Sequence, residues 1–447
     1  MERAPLVVSR ENHCISRKEI DPDALKIAYR LINHGFLAYL VGGGVRDLLL
    51  RRTPKDFDVG TTAKPNEIKA LFRNCRIIGK RFRLAHIYFK GQKIIEVATF
   101  RRGVSPQEMA EMEPQDEKEA MRIMNNTFGT PQEDALRRDF TINALFYNPA
   151  DFTVIDYVGG LKDLEEKVVR TIGDPNERLV EDPVRILRAV EFAHRLGFSL
   201  HPDTLEASRV HAHSITTASK DRIREEFLQV FSQGISRGYF ETLMDLGVLG
   251  HVVPLLGSYS RRRREQLWEL LERADRKVRS GRWRDPAPWF LAAMLFPELT
   301  RRIEFSANAP LGEVILKSRE LVMEFNKQLT IQVFLRARVV ELLSGQWRML
   351  RGPDRRGARR FMRKAEFLPT LELFDVVSLV LPDHRRAFHA WRRRYAEYSN
   401  PELAQGTTGR EKRRRRRPCR SRKSRGSAPD SLPQKREGAG RGEPPPS

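Results

Sequence analysis

LVGGGVRDLLLRRTPKDFDVG (Leu40–Gly60) sets three glycines, an arginine and two alternate aspartates in one short span. With AYLV (Ala38–Val41) leading into it, the pattern predicts a short buried strand, a glycine turn and a helix opening in VRDLLLRR. Gly42, Gly43 and Gly44 have no side chains to keep a ligand away, so their amides make a cradle for an anion. Arg46, just inside the helix, adds a guanidinium fork for the same phosphates. A tight packing turn gives the same letters, and the residues that follow decide between the two. Asp56 and Asp58 flank Phe57. In a strand, residues i and i+2 share a face, so both carboxylates project together while Phe57 turns into the core. Two like charges held so close call for a cation. Mg²⁺ takes carboxylate and phosphate oxygens in one octahedral shell, and Mn²⁺ accepts the same oxygens. A phosphate cradle followed by a carboxylate pair predicts phosphoryl or nucleotidyl transfer assisted by two metal ions. No lysine stands in a GxxxxGK[ST] frame, which excludes a P-loop ATPase and points to attack on the α-phosphate.

The 447-residue chain has 81 Lys and Arg against 58 Asp and Glu, a formal charge of +23. Such an excess calls for a polyanionic partner, nucleic acid or an anionic membrane face. No apolar run reaches the length of a membrane span, and MERAPLVVSRENHCISR at the start lacks the apolar stretch of a signal peptide. A soluble, cytoplasmic protein is expected. Cys14, Cys75 and Cys419 are too scattered for a disulfide framework or a thiolate metal site.

Between about Ala38 and Gly160, β-rich runs such as RLAHIYF and KIIEVATF alternate with helical stretches, predicting a mixed α/β sheet. Beyond Asp174 the periodic segments are helical, among them RILRAVEFAHRL, RIREEFLQVF and AFHAWRRRY. Residues 103–130, polar and rich in acid, Met and Asn, read as a mobile loop or a plain surface insertion. From Gln405 onward there are 14 Lys and Arg against 4 Asp and Glu, including KRRRRR, and almost no large apolar residue. That tail is expected to be a disordered electrostatic arm. The fold class is therefore α+β. Composition and period divide the chain into a mixed front, a helical back and the tail over 405–447.

Three ordered signatures, LVGGGVRDLLL with DFDV, RRDFTINAL (Arg137–Leu145) and EDPVRILRAVEFAHRLGF (Glu181–Phe198), resemble those of class II template-independent nucleotidyltransferases. That superfamily contains bacterial poly(A) polymerases and tRNA CCA-adding enzymes, and the resemblance implies a head with a polymerase-β-like palm over residues 1–172, a helical neck over 173–250 and a helical body over 251–404. Residues 71–89 and 7–31, the helical WFLAAMLFPEL and the Arg-rich tail are similar to the bacterial poly(A) polymerase branch. No HD dipeptide, the mark of a phosphohydrolase domain found in some CCA-adding enzymes, occurs.

The resemblance implies further residues. Arg137 and Arg138 offer cationic forks for a triphosphate and Asn143 a polar contact beside them. Asp139 belongs to the active site as a ribose reader or as a carboxylate assisting the metal pair. In the third motif an apolar stripe of Ile186, Ala189, Val190, Ala193 and Leu196 leaves Asp182, Arg185 and Arg188 at successive i+3 positions. Asp182 and Arg185 match the family's base readers. Glu96, a buried-looking acid in IIEVATFR, is either a third carboxylate near the metal pair or a partner of Arg101 or Arg102. Glu191 stands where many relatives have a basic residue.

The implied reaction is addition of AMP from ATP to RNA 3' ends, with release of pyrophosphate, in RNA processing and decay. Helical body and tail grip RNA, no DNA is expected, and the sequence names no protein partner. The nearer alternative is a tRNA CCA-adding enzyme. A remoter one is a non-catalytic RNA-binding protein, whose mark, a lost metal carboxylate, is missing here.

Overall fold

The computed structural model describes residues 4–79, 83–104, 106–112, 115, 116, 119, 123, 127–303 and 308–400. The tail from 405 and most of the acidic stretch between Gly103 and Thr130 lie outside them, although Pro106–Glu111 within that stretch is a helical turn.

The sheet runs through the first 156 residues: β1 (Leu6–Val8), β2 (Ala38–Val41), β3 (Asp58–Thr61), β4 (Cys75–Ile78), β5 (Leu84–Tyr88), β6 (Ile94–Thr99), β7 (Leu145–Asn148) and β8 (Thr153–Asp156). Their order across the sheet is β1-β8-β7-β2-β3-β6-β5-β4. All neighbours are antiparallel except β3 and β6, which run parallel with Asp58 opposite Glu96. β2, buried along its length, lies between β3 and β7 and delivers the glycine turn to the site. Helix Pro22–Asn33 starts on Asp21, whose carboxylate accepts from the Asp23 amide, and it packs Ala24, Ile27, Ala28 and Leu31 into the head core.

Beyond residue 170 the described elements are almost wholly helical, as the periodicity predicts. A second apolar core runs from Leu179 to Trp391. Helix Val184–Leu196 belongs to both cores. Ile186, Leu187 and Val190 face the second, and Ala189, Phe192, Ala193 and Leu196 face the first. This double burial makes the third motif the joint between sheet and helices. Its length is set at both ends: Gly197, with φ +73°, closes the helix, and Pro183 opens it. The chain divides at Tyr395, with Ala396–Ser447 as a separate unit. Among the described residues no helix is long and apolar enough to cross a membrane.

Candidate nucleotidyltransferase site

Gly42 joins β2 to helix Gly43–Leu49 with φ +75° and ψ −138°, a region that side chains strain to enter. A Cβ on Gly42 would come within 3.0 Å of Arg138 Nη1, so the glycine holds open the approach of that guanidinium. The helix begins inside the glycine run rather than after it, and a Cβ on Gly44 would sit 3.2 Å from the Asp56 carbonyl oxygen. That close approach presses the cradle against the loop carrying the aspartates. The Gly42 amide donates to the Leu145 carbonyl at 3.1 Å. In the first helical turn the Gly43 and Gly44 amides have no intrahelical acceptor.

Arg46 occupies a different place from the open fork expected of it. It is 2% exposed, donates to Asp47 and to Asn143 Oδ1, and lies 5.2 Å over the Phe192 ring. Burial pulls its guanidinium below the usual value, and Asp47 opposes that pull. A buried cation so fully partnered braces the glycine turn from beneath.

β3 starts at Asp58, so Asp56 lies in the preceding loop, exposed and 3.9 Å from Lys55 Nζ. The strand argument thus holds for Asp58 alone. Its neighbour on the sheet is Glu96, through the β3–β6 register. Asp58 is open to solvent at the start of the strand, but protein packed around it, then the charges of Glu96 and Asp56, push its carboxyl up to about 6, while Arg138 pulls it down. Glu96 is half-exposed, not buried, and its partner is His86 on β5, with Nε2 3.4 Å from Oε1. Arg102 pairs instead with Glu108, and Arg101 donates to the Arg83 carbonyl. Among the described residues no three His, Cys, Asp or Glu side chains gather closely enough to hold an ion alone. Asp56, in the exposed loop, and Asp58, at the start of β3, are two residues apart in the chain, and both are oxygen donors of the kind a hard divalent ion takes.

The second motif follows the end of helix Pro131–Leu136 rather than starting one. Arg138 donates to Asp134 through Nε and Nη2 and to the Asn143 carbonyl through Nη1, and it lies 5.3 Å over Phe146. Arg137, half-buried, has no hydrogen-bond acceptor for its guanidinium among the described residues, and burial lowers its proton affinity. Asp139 is surrounded by donors. Oδ1 accepts from the Phe140 amide (2.8 Å) and Asn143 Nδ2 (3.1 Å), and Oδ2 from Arg188 Nε (2.8 Å) and Nη2 (2.7 Å). Burial would raise its carboxyl, but Arg188 and these hydrogen bonds outweigh burial and hold it low. Four donors leave little acceptor capacity for a ribose or an ion. Asn143, 6% exposed, bridges Arg46 to Asp139.

The third motif breaks where one helix was expected. Asp182 precedes a proline, which disfavours the helical conformation, and it is extended with φ −143° and ψ 92°. Helix Pro175–Glu181 ends there, and Val184–Leu196 begins two residues on, so Asp182 stands ahead of Arg185 and not on its face. Its carboxylate takes a two-pronged contact from Arg222, with Nη1 at 2.9 Å and Nη2 at 2.8 Å. Arg185 Nη1 is held by the Arg178 carbonyl and Glu181, while its Nε and Nη2 have no acceptor among the described residues. Arg188 faces Asp139 and, at 3.7 Å, Glu226, which draws it from the base-reading row into the joint between cores. Glu191 is 1% exposed, hydrogen-bonded to Gln233 and paired with Arg195. It therefore sits inside the joint and away from any substrate surface.

Sequence reasoning missed Arg178, Arg222 and His86. Arg178 donates to the Arg137 and Arg138 carbonyls, tying the third motif to the second, and its Nε is buried with no partner among the described residues. It sits seven residues before Arg185 in a helix whose Asp174 cap and Pro175 start were readable. Arg222 and His86 reach the site from distant segments and leave no local signal.

The family described as "Poly A polymerase head domain" matches residues 38–170, and that described as "Probable RNA and SrmB- binding site of polymerase A" matches residues 197–259. The chain is 39% identical over 381 residues to Poly(A) polymerase I of Salmonella typhimurium, covering 83% of this chain and 81% of that protein. It is 32% identical over 336 residues to a CCA-adding enzyme of Bacillus subtilis, covering 72% and 76%. Among solved structures, the Bacillus stearothermophilus CCA-adding enzyme in complex with CTP aligns with a TM-score of 0.59 at 25% identity, over 85% of this chain and 83% of that one.

Proposed function

The chain belongs to the poly(A) polymerase family, and from that premise we propose that it extends RNA 3' ends with AMP from ATP without a template. The 3'-oxygen of the RNA bonds to the α-phosphorus, the bond from that phosphorus to the bridging oxygen breaks, pyrophosphate leaves and the hydroxyl proton passes to solvent. Arg137 and Arg138, with the Gly43 and Gly44 amides that the Gly42 turn presents, hold the triphosphate and the departing pyrophosphate. Asp56 and Asp58 would hold Mg²⁺ or Mn²⁺, which when bound would supply charge neutralisation and Lewis acidity at the reacting phosphate. Asp139 acts as a positioning residue, keeping Arg188 and Asn143 in place behind the glycine turn. Asp182 accepts from the exocyclic amine of adenine, and the unengaged edge of Arg185 donates to its ring nitrogen. The setting is cytoplasmic RNA processing and decay.

One observation carries poly(A) addition over CCA addition: the chain is 39% identical over 381 residues to Poly(A) polymerase I of Salmonella typhimurium and 32% identical over 336 residues to the CCA-adding enzyme of Bacillus subtilis. The two-pronged contact of Arg222 with Asp182 restrains one base reader, which accords with a preference for a single base.

The test offers ATP, or ATP with CTP, to an unstructured RNA and to a tRNA lacking its terminal CCA. Long ladders on the unstructured RNA with ATP alone are expected. Addition of three nucleotides, only to the tRNA and only with both substrates, would replace this reading by CCA addition.

A further inference from the structure

In the second core a cavity of about 300 Å³ opens between helix Val333–Leu350, the turn after it and helix Ala358–Met362. Six cations line it, Arg348, Arg351, Arg355, Arg356, Arg360 and Lys364, and no carboxylate does. Arg348 and Lys364 share Glu366. The other four guanidiniums have no carboxylate partner among the described residues. Gly352 and Gly357, with φ +77° and +94°, bend the chain on either side of Arg355 and Arg356. Cations gathered in this way repel one another, and a bound anion relieves the repulsion.

The wall behind them is aromatic. Arg351 lies 4.7 Å over the Trp347 ring and Arg348 5.2 Å over Phe361, which fixes two planar cations in advance of any ligand. Arg351 is exposed on its other side, and a guanidinium plane is a stacking platform for a nucleobase. Trp347 is 7% exposed, so its ring serves as backing for Arg351, and Trp391 Nε1 is taken up by the Met349 carbonyl. Unpaired guanidiniums and fixed planes together fit a phosphate that carries a ring. Exposed Arg359 and Arg363 continue the positive surface outside the cavity, where a strand passes but a single nucleotide does not reach.

We infer that this cavity is an accessory site for single-stranded RNA, holding a nucleotide upstream of the 3' end with its phosphate among Arg351, Arg355, Arg356 and Arg360. The inference rests on the reading that RNA is the acceptor. The cavity is lined by no residue before Trp347, so it is separate from the nucleotidyltransferase site.

The test uses the full chain with Arg355→Glu/Arg356→Glu/Arg360→Glu and, as a milder control for folding, Arg351→Gln, each checked by thermal melt. Fluorescent RNAs of about six and about 25 nucleotides distinguish a distal grip from the cleft. The expected result is a loss of about tenfold or more in affinity for the longer RNA, with a salt slope shallower by about 2. AMP addition to the short RNA stays unchanged. Photocrosslinking of a 4-thiouridine RNA is expected to label the segment around Trp347 whether or not AMP is added, which separates failure of this site from failure of the polymerase reading. Equal losses for both RNAs, unchanged affinity for the longer one, or an AMP-saturable cavity indifferent to RNA would overturn the inference.

Discussion

Asp58 shows how much one residue's neighbours decide. Its carboxyl is lifted to about 6 by crowding and by the charges of Glu96 and Asp56, an arrangement that a cation relieves. Asp58→Ala is expected to leave RNA affinity intact while AMP incorporation falls by roughly 10³-fold or more, the scale of losing several kcal/mol of charge stabilisation. A gel-shift assay beside an incorporation assay reads both, and a variant that still polymerises would remove the metal assignment. Arg222 is the other decisive residue. Because it grips Asp182 by two hydrogen bonds, Arg222→Ala is expected to loosen base choice, lowering the preference for ATP over CTP by about tenfold. A merely structural role for Arg222 would weaken both nucleotides equally, so the ratio of kcat/KM values decides.

At the scale of elements, the joint helix Val184–Leu196 holds sheet and helices together through Arg188, which meets Asp139 from the head and Glu226 from helix Lys220–Gln233. Asp139→Asn removes a charge that Arg188 faces while keeping much of the shape. A destabilisation of about 2 kcal/mol is expected in chemical denaturation, below the full cost of a wholly buried pair because Arg188 is partly exposed. Glu298, in helix Ala287–Arg302, is 2% exposed and ringed by Arg263, Arg301 and Arg302. Burial would raise its carboxyl, yet Arg301 and Arg302 hold it at about 2. A depressed folded value means that the stabilisation is complete above the unfolded value near 4.5 and is lost as pH falls toward 2. It amounts to at most roughly 3 kcal/mol, reduced by the solvent that screens the half-exposed Arg301. Glu298→Gln is expected to flatten that part of the stability profile and to lower Tm at pH 7.

At the scale of the molecule, charge governs RNA binding. With a formal +23, affinity for unstructured RNA is expected to fall steeply with salt, with a log–log slope of about −4 for six phosphate contacts. Removing residues 405–447 takes away 14 Lys and Arg and 4 Asp and Glu. The truncated chain is expected to bind long RNA more weakly and with a shallower slope, while kcat on short acceptors is unchanged. Fluorescence titrations at several ionic strengths check this, and an unaltered slope would show that the tail makes no phosphate contact.

Sequence alone determined the types and order of the chemical groups. The strand at AYLV, the glycine turn, the two aspartates and the helical second half follow from residue type and period, which act over a few neighbours. The same local rules hold the reason why Asp182 leaves the helix, since Pro183 follows it, although the apolar stripe suggested one continuous helix. Other relations were fixed only by the tertiary structure. Glu96 looked buried until the parallel β3–β6 register set it beside Asp58 at the open end of the strand. Arg46 and Arg188 read as substrate-facing cations, yet packing against Phe192 turned both into internal braces. Arg222 reaches Asp182 across 40 positions and Arg188 reaches Asp139 across 49. No period or spacing encodes such distances, because it is the burial of two apolar cores on either side of one helix that brings those charges together.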